Sequence, residues 1–255
     1  MFTDTHCHLI APEWQQSLSS ILARAKAQKV SKLLVPSADA TEWQSVLALK
    51  TLPEICAVAC GVHPWFITEY WKNDVCLLQQ FLQQHSDILV GEIGLDKSKK
   101  LPENVWQTQI TCFETQLDLA KTYARPIVLH NVHATTAILN SIKRTQFQHG
   151  GIAHGFSGSP EEAELLIKQG FLIGLGALLL NPNAKKVRHL AQKLPENSFV
   201  LETDSPYMLP NGCNEPAKIV QIAEEISRLR NVSIIQLADI CEKNLAKLLV
   251  KILPH

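Results

Sequence analysis

The sequence predicts an α/β fold of the (β/α)₈ TIM barrel type, forming a single domain over residues 1–255. The length of 255 residues suits one such barrel. Strand-like and helix-like patterns alternate along the chain, which indicates a parallel sheet. Polar residues gather where the strands end. A doubly wound open sheet fits the alternation almost as well, and the placement of these polar residues favours the barrel.

Eight short runs of apolar or β-branched residues are strand candidates. Continuous apolar sequences such as Ile127-Val128-Leu129 and Phe199-Val200-Leu201 are typical of strands that are buried on both faces. The predicted strands are 2–6, 31–36, 55–61, 87–92, 126–130, 150–154, 171–176 and 198–203.

Longer amphipathic segments lie between most of these strands. One of them begins with Ser159, Pro160 and two glutamates, a sequence that combines an N-cap, a first-turn proline and first-turn acids. Ser233 is a second N-cap candidate, before an apolar-periodic run. The predicted helices are 13–28, 40–51, 74–85, 104–124, 133–145, 160–169, 183–193, 215–230 and 233–251.

The composition indicates a globular protein, since 46% of the residues are hydrophobic and 19% are charged. The net charge of zero provides no overall positive field for nucleic acid, although a local basic rim remains open. The apolar stretch 171–180 is too short to cross a bilayer. The seven cysteines form no CxxC pair, and no signal peptide precedes them. We therefore expect a cytoplasmic protein with reduced thiols and no membrane association, and we favour a monomer.

Histidines and acids follow the predicted strands. His6 and His8 end the first strand, and residues two apart on an extended segment point to the same side. A lone histidine at a strand end is more often packed than a ligand, but a set at one end of a parallel sheet favours a metal site. A metal also supplies the partner that a buried charge needs. The other members of the set are His63, Glu92, His130, His154, Glu202 and Asp204.

Imidazole and carboxylate ligands suit Zn²⁺, Mn²⁺, Fe²⁺ or Mg²⁺. The set is large enough for two ions in each chain, and Glu92 is the candidate bridge because it lies between the two histidine groups in chain order. Two ions clamp the attacking and leaving oxygens and lower the pKa of a bound water, which is hydrolytic chemistry. No GxGxxG follows a strand and no P-loop occurs, so nothing indicates a nucleotide cofactor.

Seven segments together resemble the TatD family of metal-dependent hydrolases, which are amidohydrolase-like TIM barrels. The Glu-Ile-Gly-Leu-Asp sequence from Glu92, the Phe-Ser-Gly sequence from Phe156 and the Glu-Thr-Asp-Ser-Pro sequence from Glu202 are the most specific. The segments keep the family's order over nearly the whole chain, at 4–8, 61–64, 91–96, 126–130, 154–158, 201–207 and 214–216.

The resemblance implies a deoxyribonuclease that hydrolyses phosphodiester bonds in DNA, in several members from the 3′ end. One divalent metal would be held by His6, His8, Glu92 and Asp204, and a second by Glu92, His130 and His154.

Further roles follow from the same resemblance. Asp204 would also accept the proton of the nucleophilic water. His63 and Glu202 would lie near the substrate, and orienting a histidine is an equally good role for Glu202.

Three departures from the family pattern leave the substrate open. Val132 stands where the family usually has an arginine, a partner for phosphate, and His133 beside it suits a surface position at a helix start. Lys97 replaces an aromatic residue and begins the basic cluster Lys97-Ser98-Lys99-Lys100, which would either meet phosphate or form a solvated loop. The basic residues often found before Asn214 are absent, since 211–213 reads Asn-Gly-Cys.

Three functions therefore remain. The first is a nuclease acting on DNA, the second is a metal-dependent hydrolase of a small phosphoester, lactone or amide, and the third is an inactive barrel that binds a partner. Aromatic residues after the third strand, namely Trp65, Phe66 and Trp71, would either stack on bases or pack in the protein.

Overall fold

Eight parallel strands form the centre of the protein in a computed structural model that describes residues 1–98, 105–209 and 213–252. Each strand pairs with the next one in sequence, so the sheet order is the chain order. The strands are β1 (Phe2–Asp4), β2 (Val30–Pro36), β3 (Ile55–Cys60), β4 (Leu89–Asp96), β5 (Ile127–Val132), β6 (Gly151–Ala153), β7 (Phe171–Leu175) and β8 (Phe199–Leu201).

The sheet closes because the segments that follow β1 and β8 lie side by side. The Thr5 N–H donates to the Leu201 carbonyl at 3.0 Å, and the Asp204 N–H donates to the His6 carbonyl at 2.8 Å. A parallel bridge joins Cys7 and Ser205 one step further along. The predicted (β/α)₈ barrel is therefore confirmed.

The helices of the described residues surround this barrel. They are α1 (Leu18–Ala27), α2 (Trp43–Leu49), α3 (Trp71–Gln84), α4 (Trp106–Thr122), α5 (Thr135–Thr145), α6 (Pro160–Lys168), α7 (Lys185–Lys193), α8 (Ile219–Arg230) and α9 (Ile234–Leu249). Both predicted N-caps are confirmed, since Ser159 and Ser233 each form a capping box. None of these helices is long and apolar enough to cross a membrane.

Two predicted helix starts were wrong. Helix α1 begins at Leu18 rather than at residue 13, because the Ser17 hydroxyl accepts the Ser20 N–H and caps the helix there. The segment predicted to be helical from residue 215 begins with a short 3₁₀ turn at Pro216–Lys218, and α8 follows it.

Side chains alternate between the two faces of each strand. Leu34, Val128 and Ile152 belong to an inner apolar cluster that also contains Leu245 and Leu248 of α9, so this helix closes one end of the barrel. Two residues further along their strands, the interior positions of β5 and β6 lead to His130 and His154. The side chains that point into the barrel are therefore apolar in the middle of these strands and are candidate metal ligands at the carboxyl ends.

Strand β4 runs to Asp96, four residues beyond its predicted end at residue 92. Glycines within Gly91-Glu92-Ile93-Gly94 lower the strand propensity of this sequence, but they let β4 approach β5 closely. A Cβ on Gly94, whose φ is +155°, would lie only 1.9 Å from the His130 carbonyl oxygen. The absence of a side chain at Gly94 therefore lets the strand that carries Glu92 lie directly against the strand that carries His130.

We expect Gly94→Ala to destabilise the protein by about 3 kcal/mol or more, because the new Cβ has to displace β5 and the His130 that it carries. Gly170→Ala is the matched control, since Gly170 has φ +83° and its added Cβ would meet an atom of Gly150 at an ordinary 3.5 Å. That variant should lose only about 1–2 kcal/mol. Urea unfolding measures the stability of both variants. Equal losses of stability would contradict the close approach of β4 to β5.

Candidate metal centre

Four side chains, which come from the ends of β1 and β8 and from β4, form the first part of the site. The Nε2 atoms of His6 and His8 lie 3.1 Å apart. Glu92 Oε2 is 3.2 Å from the first nitrogen and 3.6 Å from the second, and Asp204 Oδ1 is 3.5 Å from each. Asp204 reaches this position with a φ of +57°, a conformation that aspartate tolerates better than most residues.

The other oxygen of Glu92 faces a second histidine group. Glu92 Oε1 lies 2.9 Å from His130 Nδ1 and 2.6 Å from His154 Nε2. These two nitrogens are 3.2 Å apart. The structure thus brings all six residues predicted as ligands together, with the Glu92 carboxylate between the two groups.

This donor set fits divalent cations. Imidazole nitrogens and carboxylate oxygens face one another at 2.6–3.6 Å in a buried space, and two lone pairs in such a contact repel each other unless a proton or a cation lies between them. The buried Nδ1 atoms of His6 and His154 have no hydrogen-bond partner among the described residues. Groups of three candidate ligands include His6, His8 and Glu92.

Asp96 fixes the ring orientation of His130. Its Oδ2 lies 2.9 Å from His130 Nε2 and accepts the Trp65 indole N–H at 2.7 Å. A hydrogen on Nε2 leaves the Nδ1 lone pair of His130 directed towards Glu92. Burial opposes ionisation of Asp96, but hydrogen bonds from His130 and Ser98 outweigh it and hold the pKa of this carboxyl below its usual range.

His63 also contacts Glu92, with its Nε2 3.3 Å from Oε1. Its Nδ1 accepts the backbone N–H of Trp65 at 3.0 Å, so a neutral His63 carries its hydrogen on Nε2. That hydrogen points to Glu92 and occupies the nitrogen that a metal would need. Burial lowers the pKa of His63, which favours this neutral form. The geometry thus distinguishes His63 from the other four histidines.

Glu202 lies deeper than Asp204 and is completely buried. Its Oε1 accepts the Gly155 N–H, and its Oε2 has no hydrogen-bond partner in the described part of the chain. A Cβ on Gly174 would collide with the carboxyl group, so the glycine makes room for it. Burial raises the pKa of Glu202 to about 8, although the charge of His154 opposes this.

The carboxyls of this site differ in their pKa values, which are raised for Glu202 and lowered for Glu92 and Asp204. Burial opposes ionisation of Glu92, but the charge of His154 and the contacts with the other surrounding histidines outweigh it and hold the pKa of Glu92 well below the usual value. The pKa of Asp204 is also lowered, because a hydrogen bond from His8 outweighs the cost of burial. Carboxyls whose pKa values are pushed apart in this way are suited to different roles in catalysis.

Asp4 ties the end of β1 to the end of β8. Its Oδ1 accepts the backbone N–H groups of His6 at 3.2 Å and of Thr203 at 2.9 Å, and its Oδ2 accepts the Thr203 hydroxyl at 2.6 Å. Asn214 supports the same segment by donating to the Thr203 carbonyl at 2.7 Å. These contacts set the positions of His6 and Asp204 on neighbouring backbones.

Sequence reasoning assigned no role to Asp4 or Asp96, although both lie in motifs that it used. Their positions in the sequence were the available signal, because Asp4 lies two residues before His6 and Asp96 ends the glycine-containing segment 91–96. Neither position revealed a partner, because the partners Thr203 and His130 are distant in sequence.

The residues that depart from the family pattern lie in different surroundings. His133 is exposed before α5, as expected for a surface histidine, and Val132 is partly buried at the end of β5. The Lys97 ammonium lies 5.6 Å from the ring centre of Trp106. Lys99, Lys100, Asn211 and Gly212 lie outside the described residues. The seven cysteines are unpaired in the structure.

Comparisons with known proteins find similarity to one family over most of the chain. The sequence profile of the family described as TatD related DNase matches residues 3–250. An uncharacterized metal-dependent hydrolase of Escherichia coli (strain K12), YjjV, is 34% identical over 235 residues, which is 90% of each chain. A protein of Erwinia billingiae (strain Eb661) named 3'-5' ssDNA/RNA exonuclease TatD is 28% identical over 256 residues, covering 96% of this chain and 97% of the relative.

A solved structure agrees with the sequence comparisons. The crystal structure of the TatD homologue YjjV from Escherichia coli K12 superposes with a TM-score of 0.90 and 31% identity, covering 97% of each chain.

We expect Asp4→Ala to destabilise the metal-free protein by about 3 kcal/mol, because three buried donors lose their acceptor. Asp4→Asn keeps an acceptor for the two N–H groups and should cost about 1 kcal/mol. Urea unfolding measures both variants. Equal stability of Asp4→Ala and the wild type would show that Asp4 does not join the two strand ends.

We also expect the contribution of Asp4 to the stability of the protein to depend on pH. Burial raises the pKa of Asp4 to about 7, although hydrogen bonds from Thr203 and His6 oppose this. Since an unfolded aspartate has a pKa near ~3.9, the folded state binds more protons between these values, and stability falls as the pH rises through that window. The stability advantage of the wild type over Asp4→Asn should therefore be smaller at pH 8 than at pH 5. An advantage that grows with pH would contradict the raised pKa.

Proposed function

Since the chain belongs to the TatD related DNase family, whose relatives are metal-dependent hydrolases, we propose that it hydrolyses phosphodiester bonds in DNA, from the 3′ end of a strand. The family resemblance expected from the motifs is thereby confirmed, and the chain is a metal-dependent hydrolase. The name of the Erwinia billingiae relative, 3'-5' ssDNA/RNA exonuclease, supports the choice of a nucleic acid and of the 3′ end.

The observation that carries the proposal is the position of Glu92. Its two oxygens face two separate ligand groups, so one buried carboxylate can bridge two divalent ions such as Mg²⁺, Mn²⁺ or Zn²⁺. His6, His8 and Asp204 would complete the first site, and His130 and His154 would complete the second. When bound, such ions activate a water and neutralise the charge that develops on a phosphodiester.

The side chains have distinct roles in this proposal. Asp204 has 14% of its side chain exposed, compared with 3% for Glu92, so it is the ionised carboxylate that reaches solvent. It would take the proton of the attacking water. His63, with its hydrogen on Nε2, would hold Glu92 Oε1 in place beside the substrate. Glu202 would orient the neighbouring histidines, because its buried carboxyl lies close to His6 and His154.

A second candidate keeps the metal chemistry and changes the substrate to a small phosphoester, lactone or amide. It is favoured by Val132, which lacks the guanidinium that would bind a phosphate. In the described residues, the ion pairs of Glu92 and Asp204 are made with histidines, and none involves lysine or arginine. An inactive barrel has no such support, because the full ligand set would bury charged groups without use.

A direct assay separates the two candidates. The purified protein should release nucleotides from a single-stranded oligonucleotide labelled at its 5′ end, shortening it stepwise from the 3′ end. Treatment with a chelator should abolish the activity, and re-addition of Mg²⁺, Mn²⁺ or Zn²⁺ should restore it. Hydrolysis of a small phosphoester with no loss of oligonucleotide would favour the second candidate.

We expect Glu92→Ala to lower kcat by about 1,000-fold or more, because the Glu92 carboxylate places one oxygen in each ligand group. Glu92→Gln, which keeps the shape and removes the charge, should lose nearly as much. Metal content by mass spectrometry and the circular dichroism spectrum are measured in parallel. Turnover retained by Glu92→Ala at saturating metal would exclude the bridged centre.

We expect His63→Ala to reduce kcat/KM by about 100-fold while the bound metal stays near the wild-type level. His130→Ala is the matched comparison and should lose metal, because its Nδ1 faces the second ligand group. Equal metal loss in the two variants would make His63 a ligand and overturn the tautomer argument.

A further inference from the structure

Building on the proposed nuclease function, we propose that Trp65 and Phe66 form a platform on which one nucleobase of a single strand stacks while its phosphodiester lies at the metal centre. We call these two side chains the aromatic platform. The ligand class is a nucleotide with an intact base, and a sugar phosphate without a base would not use the platform.

The exposure of the rings separates these residues from the other aromatic candidate nearby. Trp65 is 44% exposed and Phe66 is 45% exposed, whereas Trp71 is 8% exposed and packs in the core. The two exposed rings follow β3 in a short 3₁₀ turn, Pro64–Phe66, at the end of the barrel that holds the histidines. An exposed pair of large aromatic rings beside a site is typical of a binding surface.

The platform lies one side chain away from Glu92. The ring centre of His63 is 5.5 Å from that of Trp65 and 5.9 Å from that of Phe66. The ring centre of Trp65 is also 6.3 Å from that of His130. Both histidines contact Glu92 Oε1, so a group stacked on the platform is adjacent to the metal centre.

Hydrogen bonds hold Trp65 in place before any ligand arrives. Its backbone N–H donates to His63 Nδ1 at 3.0 Å, and its indole N–H donates to Asp96 Oδ2 at 2.7 Å. A ring that is already fixed loses little conformational entropy on stacking. Because Asp96 also holds His130, the platform and the second ligand group share one anchor.

The surroundings of Tyr207, another exposed aromatic ring near the ligands, suit a nucleic acid strand less well. Tyr207 is also exposed and its ring lies 5.5 Å from that of His8, but its hydroxyl donates to Glu13 at 3.0 Å. The carboxylates of Glu13, Glu42 and Asp204 all act on Tyr207. A nucleic acid strand is a polyanion and would be repelled there. The carboxylate that contacts Trp65, that of Asp96, is in contrast also paired with His130.

Stacking also accounts for recognition without a cationic side chain at the described centre. Every base has a flat π face, so an aromatic platform binds a strand with little dependence on its sequence. This property suits an enzyme that removes successive nucleotides from an end.

The first experiment measures binding. The metal-loaded protein is titrated by calorimetry with dAMP and with 2-deoxyribose 5-phosphate, which carries the same phosphate and sugar without a base. We expect dAMP to bind the wild type at least ~10-fold more tightly, and the difference to disappear in Trp65→Leu and to shrink in Phe66→Leu. Equal affinities of the wild type for the two ligands would overturn the platform.

Control variants separate stacking from support of the metal centre. Trp65→Phe keeps a ring but loses the indole N–H, so it should retain most of the preference for dAMP. The Phe66 ring has no hydrogen-bonding group, so Phe66→Leu leaves the hydrogen bonds of Asp96 in place and tests stacking even where Trp65→Leu loses metal. Leu165→Ala removes an exposed apolar side chain of α6 that is 46% exposed, and it should change nothing. A preference for dAMP that survives in the double variant Trp65→Leu/Phe66→Leu would contradict the proposal.

A hydrolysis experiment distinguishes failure of this inference from failure of the proposed function. Two single-stranded oligonucleotides are compared, one with an ordinary 3′ residue and one with an abasic 3′ residue. Faster cleavage of the first, lost in Trp65→Leu, supports both proposals. Equal cleavage of the two overturns the platform and leaves the nuclease function intact. Cleavage of neither, with a dAMP preference that depends on Trp65, overturns the nuclease function and leaves the platform.

Discussion

The burial of one carboxylate among five imidazoles is the constraint on which this site depends. His6, His8, His63, His130 and His154 all place a ring nitrogen within 3.6 Å of Glu92. Such a cluster is costly unless cations neutralise it or protons are shared within it. The hydrogen bonds of the surrounding residues decide which nitrogens remain free. Asp96 leaves Nδ1 of His130 available, whereas the Trp65 N–H occupies Nδ1 of His63.

The barrel brings these groups together by simple strand geometry. Interior positions repeat every two residues, so the apolar positions of β5 and β6 are followed by His130 and His154 on the same face. Parallel strands end at the same rim, which collects ligands from β1, β4, β5, β6 and β8. Closure between the ends of β1 and β8, held by Asp4 and Thr203, places Asp204 beside His6. The stability of that junction is therefore linked to the shape of the first ligand group.

Metal chemistry and substrate choice are carried by different parts of the rim. The ligand groups lie in the closed interior, where burial raises the pKa of Glu202 to about 8, whereas a hydrogen bond from His8 outweighs burial and lowers the pKa of Asp204. The aromatic platform and Tyr207 lie outside these groups, beside His63 and His8 respectively. Val132 is the last residue of β5, two positions beyond His130, and it belongs to neither ligand group.

The sequence by itself determined the barrel class and the candidate ligands, because both depend on local patterns: alternating elements, apolar strands, and polar residues that follow them. It also located the caps at Ser159 and Ser233. It could not extend β4 to Asp96, since the close approach that Gly94 allows is a property of two strands. The tertiary structure alone decided which histidine nitrogens are free, that Trp71 packs while Trp65 and Phe66 are exposed, and that Asp4 joins two distant strand ends. Each of these depends on partners far apart in the chain, and no local pattern records the distance between such partners.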